Sequence, residues 1–227
     1  MNVPLSPARA SELGLILLTG AVHVTLELMS GTPGSAARIQ APLVLGYQLA
    51  AISLWGIYAL WRMSRSQRQA RTWGFRVDNI GLALRRCLRV AAPAAVAMIA
   101  YGGLVGRLPV PKTFWLVLPL YLLYGLAQQF ALQALLARNL RSVFPHRMAR
   151  TLVVAMVFSA AHIPDVWLML LTFVVGLALT WCYDAEPNLF VIGSTHGLLG
   201  ALAYYLLLGE DPWAAMVETA RRWIWLR

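Results

Sequence analysis

Apolar residues run almost unbroken for about 20 positions at a time along this chain, each run long enough to cross a hydrocarbon core roughly 30 Å thick. Polar residues collect in the short stretches between the runs. The pattern predicts spans from Leu13 to Met29, Ala41 to Trp61, Leu88 to Gly106, Phe114 to Ala137, Ala149 to His162, Val166 to Cys182 and Leu189 to Leu208. The fifth run is short, about 14 residues, and stops at Ile163-Pro164-Asp165, so it reads as a buried half-span. The first has no small-residue cleavage site after it and holds His23 and Glu27, which favours a retained helix over a removable leader. Gly31 to Pro42 reads as a connection. After the last run, Asp211-Pro212 supplies an N-cap and a Pro at the first helical position. Trp213, Met216, Val217, Ala220, Trp223 and Ile224 then share one helical face, with Glu218, Arg221 and Arg222 on the other. The expectation is an all-α, polytopic membrane helix bundle of about seven spans, one integral membrane domain over residues 1–227, closed by a C-terminal interfacial amphipathic helix.

Composition excludes a soluble domain. The chain is 59% hydrophobic and 12% charged, with a mean hydropathy of +0.64, against roughly half apolar and a quarter charged in soluble proteins. The net charge of +10 comes almost wholly from Arg lying between apolar runs. Arg62, Arg65, Arg68, Arg71, Arg76, Arg85, Arg86 and Arg89 fall between the second and third runs, and Arg138, Arg141, Arg147 and Arg150 between the fourth and fifth. Both loops, and with them the amino terminus, belong on the cytoplasmic side. The charge therefore reports topology, and no nucleic-acid partner is expected. Cys87, in a basic loop, and Cys182, at a helix end, make no disulfide framework. Asp184 and Glu186 read as solvated loop residues.

Polar side chains inside spans are costly, so they mark candidate chemistry. Gln128, Gln129 and Gln133 lie in the fourth run, His162 ends the fifth, and His196 lies in the seventh. At about 1.5 Å per residue, Gln128, His162 and His196 sit roughly 14, 18 and 10 Å in from their cytoplasmic ends, a shared layer. The layer is either a buried polar site or interhelical hydrogen-bond glue. Glu27 is one turn after His23, and the pair is a candidate auxiliary, although Glu27 falls about 22 Å in, toward the opposite side. Asp165 reads as a helix N-cap. Ser194 and His196 point to different faces and make no nucleophile pair. No carboxylate or thiolate accompanies the histidines, so no metal site and no cofactor are expected. Gly193 and Gly197 form a small-x-x-x-small spacing that packs the seventh helix closely and positions His196.

The order Gln128-Gln129-Phe130-Ala131-Leu132-Gln133, then Phe158-Ser159-Ala160-Ala161-His162, then His196 with Gly200, resembles the three motifs of the CAAX protease and bacteriocin-processing family. Those motifs are Glu-Glu-x-x-x-Arg, Phe-x-x-x-His and His-x-x-x-Asn or a variant, on successive membrane helices. The resemblance covers about residues 70–208, including Trp73-Gly74-Phe75-Arg76-Val77-Asp78 before the core helices. It implies a glutamic intramembrane endopeptidase of a bacterial inner or plasma membrane, with His162, His196, Gln128 and Gln129 at catalytic positions and Gln133, Phe158 and Gly200 in support. The first motif departs from the family: both Glu positions are Gln, and the Arg position is Gln133. An amide has no proton-accepting state near neutral pH, so Gln128 cannot take the proton of an attacking water. Two readings follow. In one, the chain is a membrane endopeptidase by ancestry with altered or lost proteolysis. In the other, it is non-proteolytic and binds a membrane-associated peptide or a hydrophobic or lipid-linked molecule in the same cavity, or carries out a repurposed chemistry there. Membrane lipid is the expected surrounding partner in both.

Overall fold

A computed structural model describes residues 6–30 and 35–225. Its helices are α1 (Pro7–Ser30), α2 (Ser35–Arg65), α3 (Gln67–Thr72), α4 (Ile80–Leu104), α5 (Lys112–Leu140), α6 (Arg147–Ala160), α7 (Val166–Ala185), α8 (Leu189–Leu208) and α9 (Pro212–Trp225). Among the described residues, six helices are long and apolar enough to cross a membrane: α1, α2, α4, α5, α7 and α8. The protein is an integral membrane helix bundle. The expected fifth span is α6, whose 14 residues reach only about 21 Å at 1.5 Å per residue.

The starts of two helices differ most from the sequence reading. α2 begins at Ser35, inside the expected Gly31–Pro42 connection. α4 begins at Ile80 rather than Leu88, so Arg85, Arg86, Cys87 and Arg89 are helical; Arg is a good helix former, and hydropathy alone hides its helix. Cys87 is buried there, in one core cluster with Cys182 of α7, and both thiols are free. α5 widens into a π-helix over Phe130–Ala137 before a last α-helical stretch at Arg138–Leu140, and α8 ends in a π-helix over Ala203–Leu208.

Glycines fix the central crossing. A Cβ on Gly197 of α8 would lie 2.3 Å from the Tyr121 carbonyl oxygen of α5, and one on Gly193 would lie 2.6 Å from the Leu126 Cα. Only hydrogen fits at these positions, so α5 and α8 lie backbone to backbone, as the small-residue spacing predicts. The segment before α4 docks on the α7–α8 turn. Gly74, at φ 87°, accepts from the Leu189 amide at 2.8 Å, and the Trp73 carbonyl accepts from the Tyr183 hydroxyl at 2.8 Å. Asn188 caps α8 through the Val191 amide at 3.0 Å and donates to the Arg76 carbonyl at 2.9 Å and to Asn79 Oδ1 at 2.7 Å.

The Arg-rich end is tied together by acids. The Asp184 side chain is 3% exposed and pairs with Arg150 at 2.6 Å, Arg141 at 3.0 Å and Arg147 at 3.7 Å. It is a buried clamp, not a solvated loop residue; Glu186 likewise accepts from Asn79 Nδ2. Glu12 of α1 is buried at the same end, accepting from Tyr58 of α2 and, at 3.0 Å, from Asn139 of α5. At the other end Asp211 accepts from the Trp213 and Ala214 amides at 2.9 and 3.3 Å, the N-cap expected of it.

Candidate functional site

Adjacent residues on an α-helix are about 100° apart, so Gln128 and Gln129 cannot face the same neighbour. Gln129 points into the bundle and is fully buried. Its Nε2 donates to His196 Nδ1 of α8 at 2.9 Å, and its Oε1 accepts from Gln133 Nε2 at 3.1 Å. Gln133 Nε2 also donates to Thr180 Oγ1 of α7 at 3.0 Å. With its Nδ1 accepting, His196 carries its ring proton on Nε2. The result is a four-residue polar chain through the core, His196–Gln129–Gln133–Thr180, across three helices.

Phe158 links the two expected histidines. Its ring meets His162 edge-on at 5.1 Å between centroids and His196 at 5.0 Å. The Phe158 carbonyl accepts from His162 Nδ1 at 2.8 Å, which fixes the proton on Nδ1 and leaves Nε2 as the acceptor. Neither ring is held by a carboxylate in these contacts.

Gln128 faces the other way, into a cavity of about 780 Å³ walled by α1, α2 and α5, with Phe158 and Ala161 at its edge. Ligand pockets fall between roughly 300 and 1,000 Å³. Its polar lining includes Gln128, Tyr124, His23, Gln48 and Tyr47, and among the described residues no Asp, Glu, Lys or Arg lines it. The sequence places Gln128, His162 and His196 in one layer. The structure divides that layer, with Gln129 joined to His196, Gln128 on the cavity wall, and Phe158 between them.

The auxiliary pair lies closer to this region than depth counting predicts. His23 Nε2 donates to the Ala161 carbonyl at 3.0 Å, one residue before His162, and is 4.0 Å from Glu27 Oε1. Glu27 in turn accepts from Gln48 Nε2 of α2 at 3.4 Å. Asp165 caps α7 through the Leu168 amide at 2.9 Å. Gly200 is half-buried beside Tyr121, with room for a Cβ at 3.4 Å from that ring.

The order of helices, the Phe158–His162 pair and the α8 histidine coincide with a match to a known family. Residues 110–202 match the family described as Type II CAAX prenyl endopeptidase Rce1-like. The chain is a CAAX-protease-like membrane protein. The match takes in α5 to α8, with Gln128, Gln129, Gln133, Phe158, His162, His196 and Gly200, and begins later than the residue 70 at which the motif reading starts the core. The Trp73–Asp78 segment lies outside it. No curated protein and no solved structure matches the chain.

Sequence reasoning missed Thr180, Asn188, Asn79, Asn139 and Glu12, all polar and buried. Thr180 and Asn188 each lie within four residues of a span end by hydropathy, where a polar residue looks solvated. A signal was present in Asn188, which precedes an apolar run as an N-cap should.

Proposed function

We propose that this CAAX-protease-like protein holds a membrane-borne, apolar-chain ligand in the cavity between α1, α2 and α5, and that it does not hydrolyse peptides by the carboxylate route of its family. The observation that carries this reading is Gln128: it lines the cavity, and among the described residues no acidic side chain lines it. An amide can bind the ligand's polar end or a water, but it cannot remove a proton from that water. Gln129 is committed to His196 and Gln133 and offers nothing to the cavity. The Arg-rich end, with Arg141, Arg147 and Arg150, faces the cytoplasm in this reading, and the amino terminus lies there too.

A second reading, retained but altered hydrolysis, is favoured by His23, the cavity-lining histidine that has a carboxylate, Glu27, at 4.0 Å.

The binding reading is tested by quenching of Trp55, which lines the cavity, with a brominated long-chain alcohol added to the full chain in nanodiscs. The Trp55 share is the fluorescence lost in Trp55→Phe. Saturable quenching is expected, reduced by Gly20→Leu and Gly56→Leu, which fill the cavity at positions where a Cβ meets nothing within 4 Å. Unsaturable quenching, no greater than partition into the lipid gives and unchanged in both variants, contradicts it.

A further inference from the structure

The walls of the cavity say which ligand it selects. The chain carries 19 Lys and Arg and nine Asp and Glu, yet among the described residues none of these types lines the cavity. Besides His23, the polar lining is made of amides and hydroxyls, and part of it is already engaged. The Tyr47 hydroxyl donates to the Thr19 carbonyl at 2.6 Å, Trp55 donates to Thr19 Oγ1 at 3.2 Å, and Gln48 is turned to Glu27. Gln128 and Tyr124, one turn apart on α5 and hydrogen-bonded to each other, are the groups left to meet a ligand's head.

The route in is also marked. α1 packs against both α2 and the π-helical part of α5, so α2 and α5 face each other across the cavity. The lining residues Leu60 of α2 and Leu123 of α5 are each 66% exposed, on the flank that meets lipid. α9 packs against both α2 and α5 at the end of the bundle where α8 finishes, closing that end of the gap. The open side is therefore the hydrocarbon side.

Resting on the cavity-binding reading above, we propose that the occupant is an uncharged amphiphile of the bilayer, which enters between α2 and α5 and sets a neutral hydroxyl or amide head against Gln128 and Tyr124. An anionic head finds no Lys or Arg among the described lining residues, His23 is turned to the Ala161 carbonyl and Glu27, and Glu27 stands one hydrogen bond behind Gln48 to repel it. A charged group left unpaired at membrane depth is costly. The selection runs against a peptide that presents a free terminal carboxylate, although the net charge of the chain as a whole would attract one.

The test compares, in the Trp55 quenching assay at pH 8, a brominated long-chain alcohol with the fatty acid of the same chain. The alcohol is expected to bind at least about tenfold more tightly than the acid. Gln128→Leu is expected to remove most of that preference while leaving chain binding in place, whereas Gln128→Lys is expected to reverse it toward the acid. Equal affinity for the two heads, or tighter binding of the acid by the unmodified chain, overturns the head-group inference and leaves the cavity reading standing. Absence of saturable binding for either probe overturns both. Tighter binding of a lipidated peptide ending in a free carboxylate than of the alcohol also overturns it.

Discussion

Gln129 Nε2 lies 2.9 Å from His196 Nδ1, joining α5 to α8 inside the bundle, while the residue before it, Gln128, turns to the cavity. The two neighbours should therefore respond differently to the same change. Gln129→Leu strips partners from the buried His196 and Gln133, and is expected to cost about 1 to 3 kcal/mol. Gln128→Leu removes an amide from a cavity wall and is expected to shift stability by no more than about 0.5 kcal/mol. Thermal unfolding in detergent checks both; equal losses contradict the division of the motif.

How much of this was readable from the chain depends on burial on one side or two. The six long helices and the Gly193–Gly197 crossing follow from apolar length and small-residue spacing, which need no partner to be recognised. The residues Gln128, Gln129, His162 and His196 were also legible, because polar groups in apolar runs stand out. Their pairing was not. Depth along an axis fixes height and leaves rotation free, and the π-helical widening at Phe130–Ala137 alters the rotation of everything after it. The burial of Asp184 was hidden for a related reason, since a carboxylate in the last turn of a helix shows its burial only when Arg141, Arg147 and Arg150 arrive from the end of α5 and the start of α6.

The helix crossing gives a sharp steric prediction. Gly197→Ala drives a methyl to 2.3 Å from the Tyr121 carbonyl, so α5 and α8 must separate, at an expected cost of about 1 to 3 kcal/mol or more. Gly56→Ala, with nothing within 4 Å, is expected to be neutral or to stabilise by up to about 1 kcal/mol through helix propensity. Melting temperatures of the two variants should move in opposite directions or, at the least, differ widely.

The acid clamp predicts an asymmetry between its members. Asp184→Ala leaves the 8%-exposed Arg150 without its 2.6 Å partner, and breaking a buried pair from one side is expected to cost about 3 kcal/mol. Arg141→Ala removes a group that is 49% exposed, and less than about 1 kcal/mol is expected. Limited proteolysis of the 141–147 loop offers a second readout, with faster cutting expected in Asp184→Ala.

Acid should loosen the start of α9. Burial by itself lifts the Asp211 carboxyl, but hydrogen bonds from Tyr205, Thr113 and the Ala214 and Trp213 amides outweigh it and hold the group below its ordinary value. A carboxylate held low stabilises the fold above its unfolded pKa, about 3.9, and that contribution is lost as pH falls through the folded value. Stability of the unmodified chain is therefore expected to drop below about pH 4, with a smaller drop in Asp211→Asn. Identical pH profiles for the two proteins contradict the role given to this cap.

The most direct measurement is peptide cleavage by the full chain in lipid, using a library of membrane-tethered peptides and comparing the unmodified protein with Gln128→Glu. Gln128 is the motif residue on the cavity wall, so this one change restores a proton acceptor there without placing a charge beside His196. The unmodified chain is expected to stay at background, and Gln128→Glu to raise cleavage above it, with the gain abolished by a further His162→Ala. Strong cleavage by the unmodified chain, lost in His162→Ala, contradicts the claim that the amide at Gln128 has ended the family's hydrolysis.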